Sequence, residues 1–171
     1  GCGVSAETAR RIEEAGVRLL DVGGAGGTSW AAVEYYRARR AGSWLGQRLC
    51  ETFWDWGIPT VVSLVEARRA TGLTLIASGG LRTGLDLAKA LALGAQYGGM
   101  ALPLLKPAVR GAGWVLRELE RVREEFKIAM LLTGSKSPTE LQRKPLLITG
   151  ETGEWLRLRG FNPEAYARRE G

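Results

Sequence analysis

Short apolar runs alternate with segments of helical periodicity along this chain, and this alternation limits the fold more than any other feature of the sequence. Three runs lack strict apolar–polar alternation: "VRLLDVGG" at 17–24, "LTLIASGG" at 73–80 and "AQYGGMALPLL" at 95–105. That pattern is typical of strands buried on both faces. Because helical segments separate the runs, successive strands are expected to lie parallel. The sequence therefore predicts an α/β fold, either a small open sheet or part of a (β/α)8 barrel.

Capping residues mark the ends of the predicted helices. Ser5 precedes a helical segment that stops at Gly16, and Thr83 precedes another segment with an acidic residue in its first turn. The third apolar run is expected to be a strand that ends near Pro103. A long helix is predicted after it, over 110–132, because no proline interrupts that segment.

The two ends of the chain carry further signals. Ser137 begins a capping box before "PTELQRK", and Asn162 stands before Pro163, so short helices are expected there. The opening "GCGVS" reads as the end of a strand already under way. A whole barrel takes about 250 residues. Three or four strand–helix units in 171 residues therefore correspond to a small open sheet or to the second half of a barrel.

Composition excludes several classes of site. The chain has no histidine, so Ser-His-Asp and Cys-His catalysis and His-ligated metal centres cannot be built from it alone. Two cysteines, Cys2 and Cys50, are too few for a disulfide framework and fit a reducing, cytoplasmic compartment. No apolar run reaches the ~18 residues of a membrane span. The net charge of +6 arises on helical faces that also carry acids, so neither nucleic acid nor membrane is expected as a partner.

A glycine-rich turn ends each apolar run, within 21–30, 77–84 and 97–102. In parallel α/β folds, ligands bind at this end of the strands. Backbone N–H groups in such turns, and the N-terminus of the helix that follows, attract phosphate. One Gly-Gly turn alone is more often only a tight turn. Three of them, with an arginine in the second, favour a phosphate site.

The second of these turns, "SGGLRTG", contains the strongest phosphate signal. Gly79 and Gly80 are predicted to remove side chains so that a phosphate can reach the main chain. Additional hydrogen-bond donors are expected from Arg82 and from the hydroxyl groups of Thr28, Ser29 and Thr83.

Several sequence blocks resemble the type 2 isopentenyl-diphosphate delta-isomerases. They are "DVGGAGGTSW", "WGIPTVVSL", "LIASGGLRTGLDLAKALALGA", "GMALPLLKPA" and "AMLLTGSKSPTEL", and the tail "PLLITGETGEWLRLRGFNPEAYARR" resembles the extended form of that family. "GGLRTGLDLAKALALGA" also resembles other phosphate-binding barrels, whereas "GGAGGTSW" is more specific. The resemblance implies the C-terminal half of a (β/α)8 TIM barrel with a short helical tail. Residues 1–133 would be its strand–helix units, and 134–171 a helical extension of the same domain.

The resemblance also implies an activity. The reaction would isomerise isopentenyl diphosphate to dimethylallyl diphosphate, as one proton is added to the alkene and another is removed. It would use reduced FMN, Mg²⁺ and NADPH as the reductant, in a homo-oligomer that is a tetramer or octamer. This chain would supply the half that binds the FMN phosphate and would not be catalytically complete. Its catalytic residues are expected upstream of Gly1.

Residue roles transfer from the family only at matching positions. Many members have serine at the position of Gly23, so any hydroxyl contact there is expected to be lost or replaced. No metal ligand is expected in this chain. The implied FMN-binding residues are Gly23, Thr28, Gly79, Gly80, Leu81, Arg82, Ala101 and Leu102.

Three acidic residues and three tryptophans could have functional roles, but structural roles are expected for them. Three acidic residues could serve as metal ligands, but surface or structural roles are expected. Three tryptophans near the binding end could border an isoprenoid pocket, but core or interface packing is expected. The residues concerned are Asp21, Glu34 and Glu66, and Trp30, Trp54 and Trp56.

Other functions stay open. A 2-hydroxy-acid oxidase would need a histidine base, which this chain does not have. An inosine-monophosphate dehydrogenase would need a cysteine in the loop after "GGAGG", but Cys50 lies well downstream of that loop. The third alternative is a non-catalytic half-barrel that binds a phosphate-bearing ligand or a protein. Because half a barrel has open sheet edges, the isolated chain is expected to dimerise, aggregate or be partly unfolded.

Overall fold

The computed structural model describes residues 2–170, which form three parallel strands and ten helices. The strands are β1 (Leu19–Asp21), β2 (Thr74–Ala77) and β3 (Tyr97–Gly98), in the order β1-β2-β3. Leu20 pairs with Leu75, and Ile76 pairs with Tyr97. The helices are α1 (Ala6–Glu14), α2 (Trp30–Arg40), α3 (Trp44–Thr52), α4 (Thr60–Ala70), α5 (Gly84–Ala92), α6 (Leu102–Arg110), α7 (Ala112–Leu132), α8 (Pro138–Leu141), α9 (Gly150–Leu158) and α10 (Glu164–Ala167). The predicted α/β class with parallel strands is confirmed.

The two faces of the sheet differ in burial. Leu20, Leu75 and Ala77 are buried against α4, α5 and the C-terminal tail, in one hydrophobic cluster. Leu19, on the opposite face, is 51% exposed. The prediction of strands buried on both faces is therefore wrong for this chain, because its helices cover only one side. The other side faces the interior that further strands would enclose in a complete barrel.

The opening residues form no regular strand, contrary to the prediction from "GCGVS"; Gly1 itself lies outside the described residues. The opening segment still lies beside the first glycine-rich turn, since the N–H of Gly3 donates to the carbonyl of Gly23 at 2.8 Å. At Val4 both backbone polar groups bond to a side chain and not to a neighbouring strand. The hydroxyl of Ser63 accepts from the Val4 N–H at 2.7 Å and donates to the Val4 carbonyl at 2.8 Å.

The strand in the third apolar run is shorter than predicted. Only Tyr97–Gly98 pairs with β2, and α6 begins at Leu102, so Pro103 lies in the first turn of a helix. Proline is tolerated there because that position has no intrahelical acceptor for an N–H. The predicted long helix is confirmed as α7, which is separated from α6 by Gly111 with a φ of 121°.

The C-terminal tail packs onto the same core as the strands. Leu156 and Tyr166 are buried in the cluster that contains Leu20 and Leu75. The predicted cap at Asn162 is present, and its side-chain oxygen accepts from the N–H of Ala165 at 3.1 Å.

An arginine connects the tail to the first half of the chain. Arg159 donates to Glu66 at 3.1 Å and to Glu7 at 2.7 Å. Glu66 is only 1% exposed and also accepts from the N–H of Ala6 at 2.9 Å, so its charge has both an ionic and a backbone partner. The hydrogen bond from Arg159 lowers the pKa of the Glu7 carboxyl to about 2. No helix within residues 2–170 is long and apolar enough to cross a membrane.

Candidate functional site

The three glycine-rich turns meet at the carboxyl end of the sheet and border one cleft of about 510 Å³. We call residues 23–28 the first turn, 79–82 the second and 99–102 the third. Small-molecule sites commonly have volumes of about 300–1,000 Å³. The residues that line the cleft are Asp21, Gly23, Gly24, Gly27, Thr28, Trp30, Ser78, Gly79, Gly80, Leu81, Arg82, Gly99, Met100, Ala101 and Leu102. All eight residues that the sequence nominated for cofactor binding are among them.

The glycines of the second turn are required by the packing of one backbone on another. Gly79 and Gly80 have φ angles of 104° and 90°, which side-chain-bearing residues rarely adopt. A methyl group at Gly79 would overlap the carbonyl of Gly24, and one at Gly80 would overlap the carbonyl of Gly26. The first turn thus occupies the space that the missing side chains leave. The prediction that these glycines expose the main chain to a phosphate did not include this packing role.

Three side chains outside the glycines fix how the turns sit against each other. Thr60, the first residue of α4, donates its hydroxyl hydrogen to the Gly79 carbonyl at 2.6 Å. Asp21 accepts from the N–H of Gly23 at 3.1 Å and from the hydroxyl of Ser78 at 2.5 Å. The Ser78–Asp21 bond joins the ends of β1 and β2, and the Thr60–Gly79 bond joins α4 to the second turn, so the protein holds the cleft's shape without a ligand.

Several hydrogen-bond donors at the cleft have no protein acceptor. Within residues 2–170, the backbone N–H groups of Gly80, Leu81 and Ala101 make no hydrogen bond. The guanidinium of Arg82 has no carboxylate within ion-pair distance in the same described part. Unpaired donors and a free cation at one edge of a cleft suit a multiply charged anion.

The N-terminus of α5 is already occupied by a side chain of the protein. Asp86 accepts from the N–H groups of Arg82 and Thr83, both at 3.0 Å, and the Thr83 hydroxyl accepts from the Asp86 N–H at 3.0 Å. Burial opposes ionisation of Asp86, but the hydrogen bonds from Arg82 and Thr83 outweigh it and lower the pKa of its carboxyl. A ligand phosphate would therefore meet the second turn itself and not the first amides of α5.

Two of the four side-chain donors expected from the sequence are engaged elsewhere. Thr83 caps α5, and Ser29 caps α2, where its hydroxyl accepts from the N–H of Ala32 and donates to the carbonyl of Trp54. Neither residue lines the cleft. Ser29 also uses its hydroxyl hydrogen within the protein, whereas Thr83 uses its hydroxyl as an acceptor in the cap. Of the four, Arg82 and Thr28 line the cleft.

The acidic residues that could have suggested a metal have protein partners. Asp21 bonds across the turns, Glu34 pairs with Arg37 at 2.6 Å, and Glu66 pairs with Arg159. The part of the chain that the structure describes contains no cluster of three or more His, Cys, Asp or Glu side chains suited to a metal ion.

The tryptophans near the cleft lie at the surface. Trp30 lines the cleft and is 57% exposed, and Trp56 is 76% exposed, so neither packs in the core of this chain, and of the expected alternatives interface packing stays a prediction for both. Trp54 and Trp56 line a second, adjoining cleft of about 350 Å³, which shares Gly27 and Thr28 with the first. Trp30 therefore lines the first cleft, and Trp54 and Trp56 line the adjoining one.

Sequence reasoning missed five of the residues that line the cleft, and it named Asp21 and Trp30 only for other roles. All five lie within the glycine-rich turns that the sequence identified, so the position of the turns could have found them. They are Gly24, Gly27, Ser78, Gly99 and Met100.

Parallel strands with outer helices and a donor-rich cleft at the strand ends define an α/β protein of the (β/α)8 class, in which active sites lie at this end of the strands. Residues 3–148 match the model of the FMN-dependent dehydrogenase family, and the chain belongs to that family. This membership and the solved structures that resemble the chain confirm the predicted fold, part of a (β/α)8 barrel.

The more specific similarity is to isopentenyl-diphosphate delta-isomerases, which confirms the resemblance noted in the sequence. The enzyme of that name from Methanosarcina barkeri is 50% identical over 98% of this chain and 45% of the relative. That from Thermococcus kodakarensis is 51% identical over 100% of this chain and 45% of the relative. The chain thus spans about half the length of the curated relatives it matches. A GMP reductase variant from Trypanosoma brucei, solved with guanosine 5'-monophosphate, shares the fold at a TM-score of 0.56, with 22% identity over 94% of this chain and 39% of that chain.

Proposed function

We propose that the cleft binds FMN and that its phosphate is held between the second and third turns. The observation that carries this proposal is the set of unpaired donors around Arg82. The N–H groups of Gly80 and Leu81 face no protein acceptor in the described chain, and the Arg82 guanidinium has no carboxylate partner there. A phosphate dianion supplies the acceptors and the charge that this group of donors lacks.

The other nominated residues complete the proposed site. Ala101 precedes α6, and Leu102 is its first residue, so their N–H groups stand at a helix N-terminus whose dipole favours an anion. Gly79 shapes the second turn. Thr28 and Gly23, in the first turn, line the same cleft, and we assign them to the ribityl chain and the ring system. A side chain at Gly23 would meet no atom within 4 Å, which leaves that part of the cleft open.

The reaction we propose is the isomerisation of isopentenyl diphosphate to dimethylallyl diphosphate. The isomerase relatives at about 50% identity support it. When bound in its reduced form, FMN supplies proton transfer that a chain without histidine lacks. The residues of this chain hold and orient the cofactor. We assign the catalytic groups and the Mg²⁺ ligands to residues outside this chain.

The remaining features of the proposal come from the same similarity. We propose NADPH as the reductant, a homo-oligomer with four or eight copies, and a cytoplasmic location without a nucleic-acid or membrane partner. We also propose that residues 1–133 and 134–171 are strand–helix units and a helical extension of one domain. The burial of Leu156 and Tyr166 with the strands supports a single domain.

An NMR assay tests the proposed reaction. The intact gene product, of which these residues are all or part, is incubated with isopentenyl diphosphate, Mg²⁺ and FMN that has been reduced by NADPH. The methyl signals of dimethylallyl diphosphate are expected in the proton spectrum, and none are expected with oxidised FMN. The proposal fails if reduced FMN gives no product, or if the protein instead reduces GMP or oxidises a 2-hydroxy acid.

A further inference from the structure

The backbone that carries Arg82 is held from the outer side by α7. Arg121 donates to the carbonyl of Arg82 at 3.2 Å, and Glu125 accepts from the N–H of Gly84 at 2.7 Å. Neither Arg121 nor Glu125 lines the cleft. Both therefore act on the second turn from behind and would not touch a ligand.

The guanidinium of Arg121 is itself fixed on both sides. It forms ion pairs with Glu118, one turn before it on α7, and with Glu125, one turn after it. The hydrogen bond from Arg121 lowers the pKa of the Glu118 carboxyl. A guanidinium held by two carboxylates has little freedom to leave the Arg82 carbonyl.

The start of α5 packs directly on α7. A methyl group at Gly84 would overlap the carbonyl of Val122, and it would lie 2.5 Å from the backbone nitrogen of Phe126. The absence of a side chain at Gly84 is what lets the two helices approach closely enough for Glu125 to reach its N–H.

Together with Asp86, these contacts fix the backbone between the second turn and α5. Asp86 takes the N–H groups of Arg82 and Thr83, Glu125 takes that of Gly84, and Arg121 takes the Arg82 carbonyl. The backbone polar groups at Arg82 are thereby used by the protein, while its guanidinium is left without a partner in the described chain.

We propose that Arg121 and Glu125 are positioning residues for the anion site: they hold the second turn in the conformation in which Arg82 and the N–H groups of Gly80 and Leu81 face a phosphate. This inference rests on the proposed binding of FMN. It adds a role for a pair on α7, about 40 residues downstream of the turn, that the cofactor does not contact.

Hydrogen–deuterium exchange tests the positioning without any ligand. The variant is Arg121→Gln, and the matched control is Arg123→Gln, since Arg123 also pairs with glutamates on α7 but bonds to no part of the turn. In the intact apoprotein, the amides of residues 82–84 are expected to exchange about tenfold faster in the variant. They are expected to be unchanged in the control. Unchanged exchange in Arg121→Gln would overturn the proposal.

Flavin titration then connects the positioning to the ligand. For Arg121→Gln, the Kd of FMN is expected to rise about tenfold, because charged hydrogen bonds are lost or misdirected. The Kd of riboflavin, which has no phosphate, is expected to stay within about twofold. Equal weakening of both flavins, or an unchanged Kd of FMN, would mean that the pair is only structural.

Failure of the proposed FMN binding can be distinguished from failure of the positioning role. If the unmodified protein binds FMN no better than riboflavin, the proposed function fails, whereas the exchange experiment still decides whether α7 holds the turn. If Arg121→Gln does not fold, Glu125→Gln replaces it, because this change removes the ion pair and keeps an oxygen that can accept from Gly84. Faster exchange with weaker FMN binding is expected from that variant as well, and the absence of both would contradict the inference.

Discussion

Gly23, in the first turn, and Gly79 and Gly80, in the second, line the same cleft but need to be glycine for different reasons. Gly23 has a φ of 47°, and a side chain there would point into open space. Gly79 and Gly80 combine positive φ angles with a backbone, that of the first turn, in the space where a side chain would begin. At Gly23 glycine is mainly a matter of local conformation. At Gly79 and Gly80, as at Gly24, Gly26 and Gly27 of the first turn, its absence of a side chain also lets two backbones approach closely.

This difference shows that a glycine-rich strand end does not by itself identify a ligand site. The glycines of the second turn would be required by packing even if nothing bound in the cleft. The ligand signal lies instead in the donors that remain unpaired after packing is satisfied, at Leu81 and Arg82 above all. Substitutions that change either the packing of the glycines or the hydrogen-bond donors, but not both, can test this distinction.

The largest effect is expected from Gly80→Ala. The new methyl group would overlap the Gly26 carbonyl, and alanine would be strained at a φ of 90°. A loss of about 3 kcal/mol or more in the free energy of unfolding is expected, because strain and overpacking add. Urea denaturation of the intact protein measures it.

Gly23→Ala is the matched control for that substitution. Its strain is confined to the backbone, and about 1–2 kcal/mol is expected from the left-handed conformation alone. Equal losses at Gly23 and Gly80 would contradict the distinction between the two positions, since a side chain meets another backbone at Gly80 and open space at Gly23.

A smaller effect is expected from Asp86→Asn, which weakens the cap behind the second turn. At pH 7 the loss should be about 1 kcal/mol, typical of a helix cap. The folded protein lowers the pKa of the Asp86 carboxyl below its ordinary value of 3.8. Its contribution is therefore complete above that value and is lost as the pH falls through the lowered pKa.

Unfolding free energies of the wild type and Asp86→Asn, compared between pH 7 and pH 3, check this pH dependence. The gap between the two proteins should be widest at neutral pH and should narrow at the acid end. A gap that widens as the pH falls would show that the carboxylate does not stabilise the turn in its charged form.

The sequence predicted the positions of β1 and β2 and the convergence of the turns because both depend on local patterns, whereas it overextended the third strand and wrongly placed one at the opening. Apolar runs followed by glycine mark strand ends, and parallel strands bring those ends to one edge. The eight nominated residues accordingly line one cleft. Caps at Thr83 and Asn162 were also predictable, since a cap depends on neighbours within one turn of helix.

The features that sequence reasoning missed depend on distant contacts. The burial of Leu19 depends on whether other strands face it, and the need for glycine at Gly79 depends on the backbone of Gly24. The role of Arg121 depends on the crossing of α5 and α7, which no local pattern indicates. Ser29 was misassigned because a hydroxyl that could bind a phosphate could equally cap a helix.

The central claim is that unpaired donors at the second turn bind a phosphate dianion. The most direct test is the ratio of the Kd of riboflavin to that of FMN, measured by flavin fluorescence for the intact wild type and for Arg82→Gln. We expect the wild type to prefer FMN and the variant to lose about tenfold or more of that preference, as for a lost charged hydrogen bond, with its thermal stability unchanged. A wild type that binds both flavins equally, or an Arg82→Gln variant with the full preference for FMN, would contradict the claim.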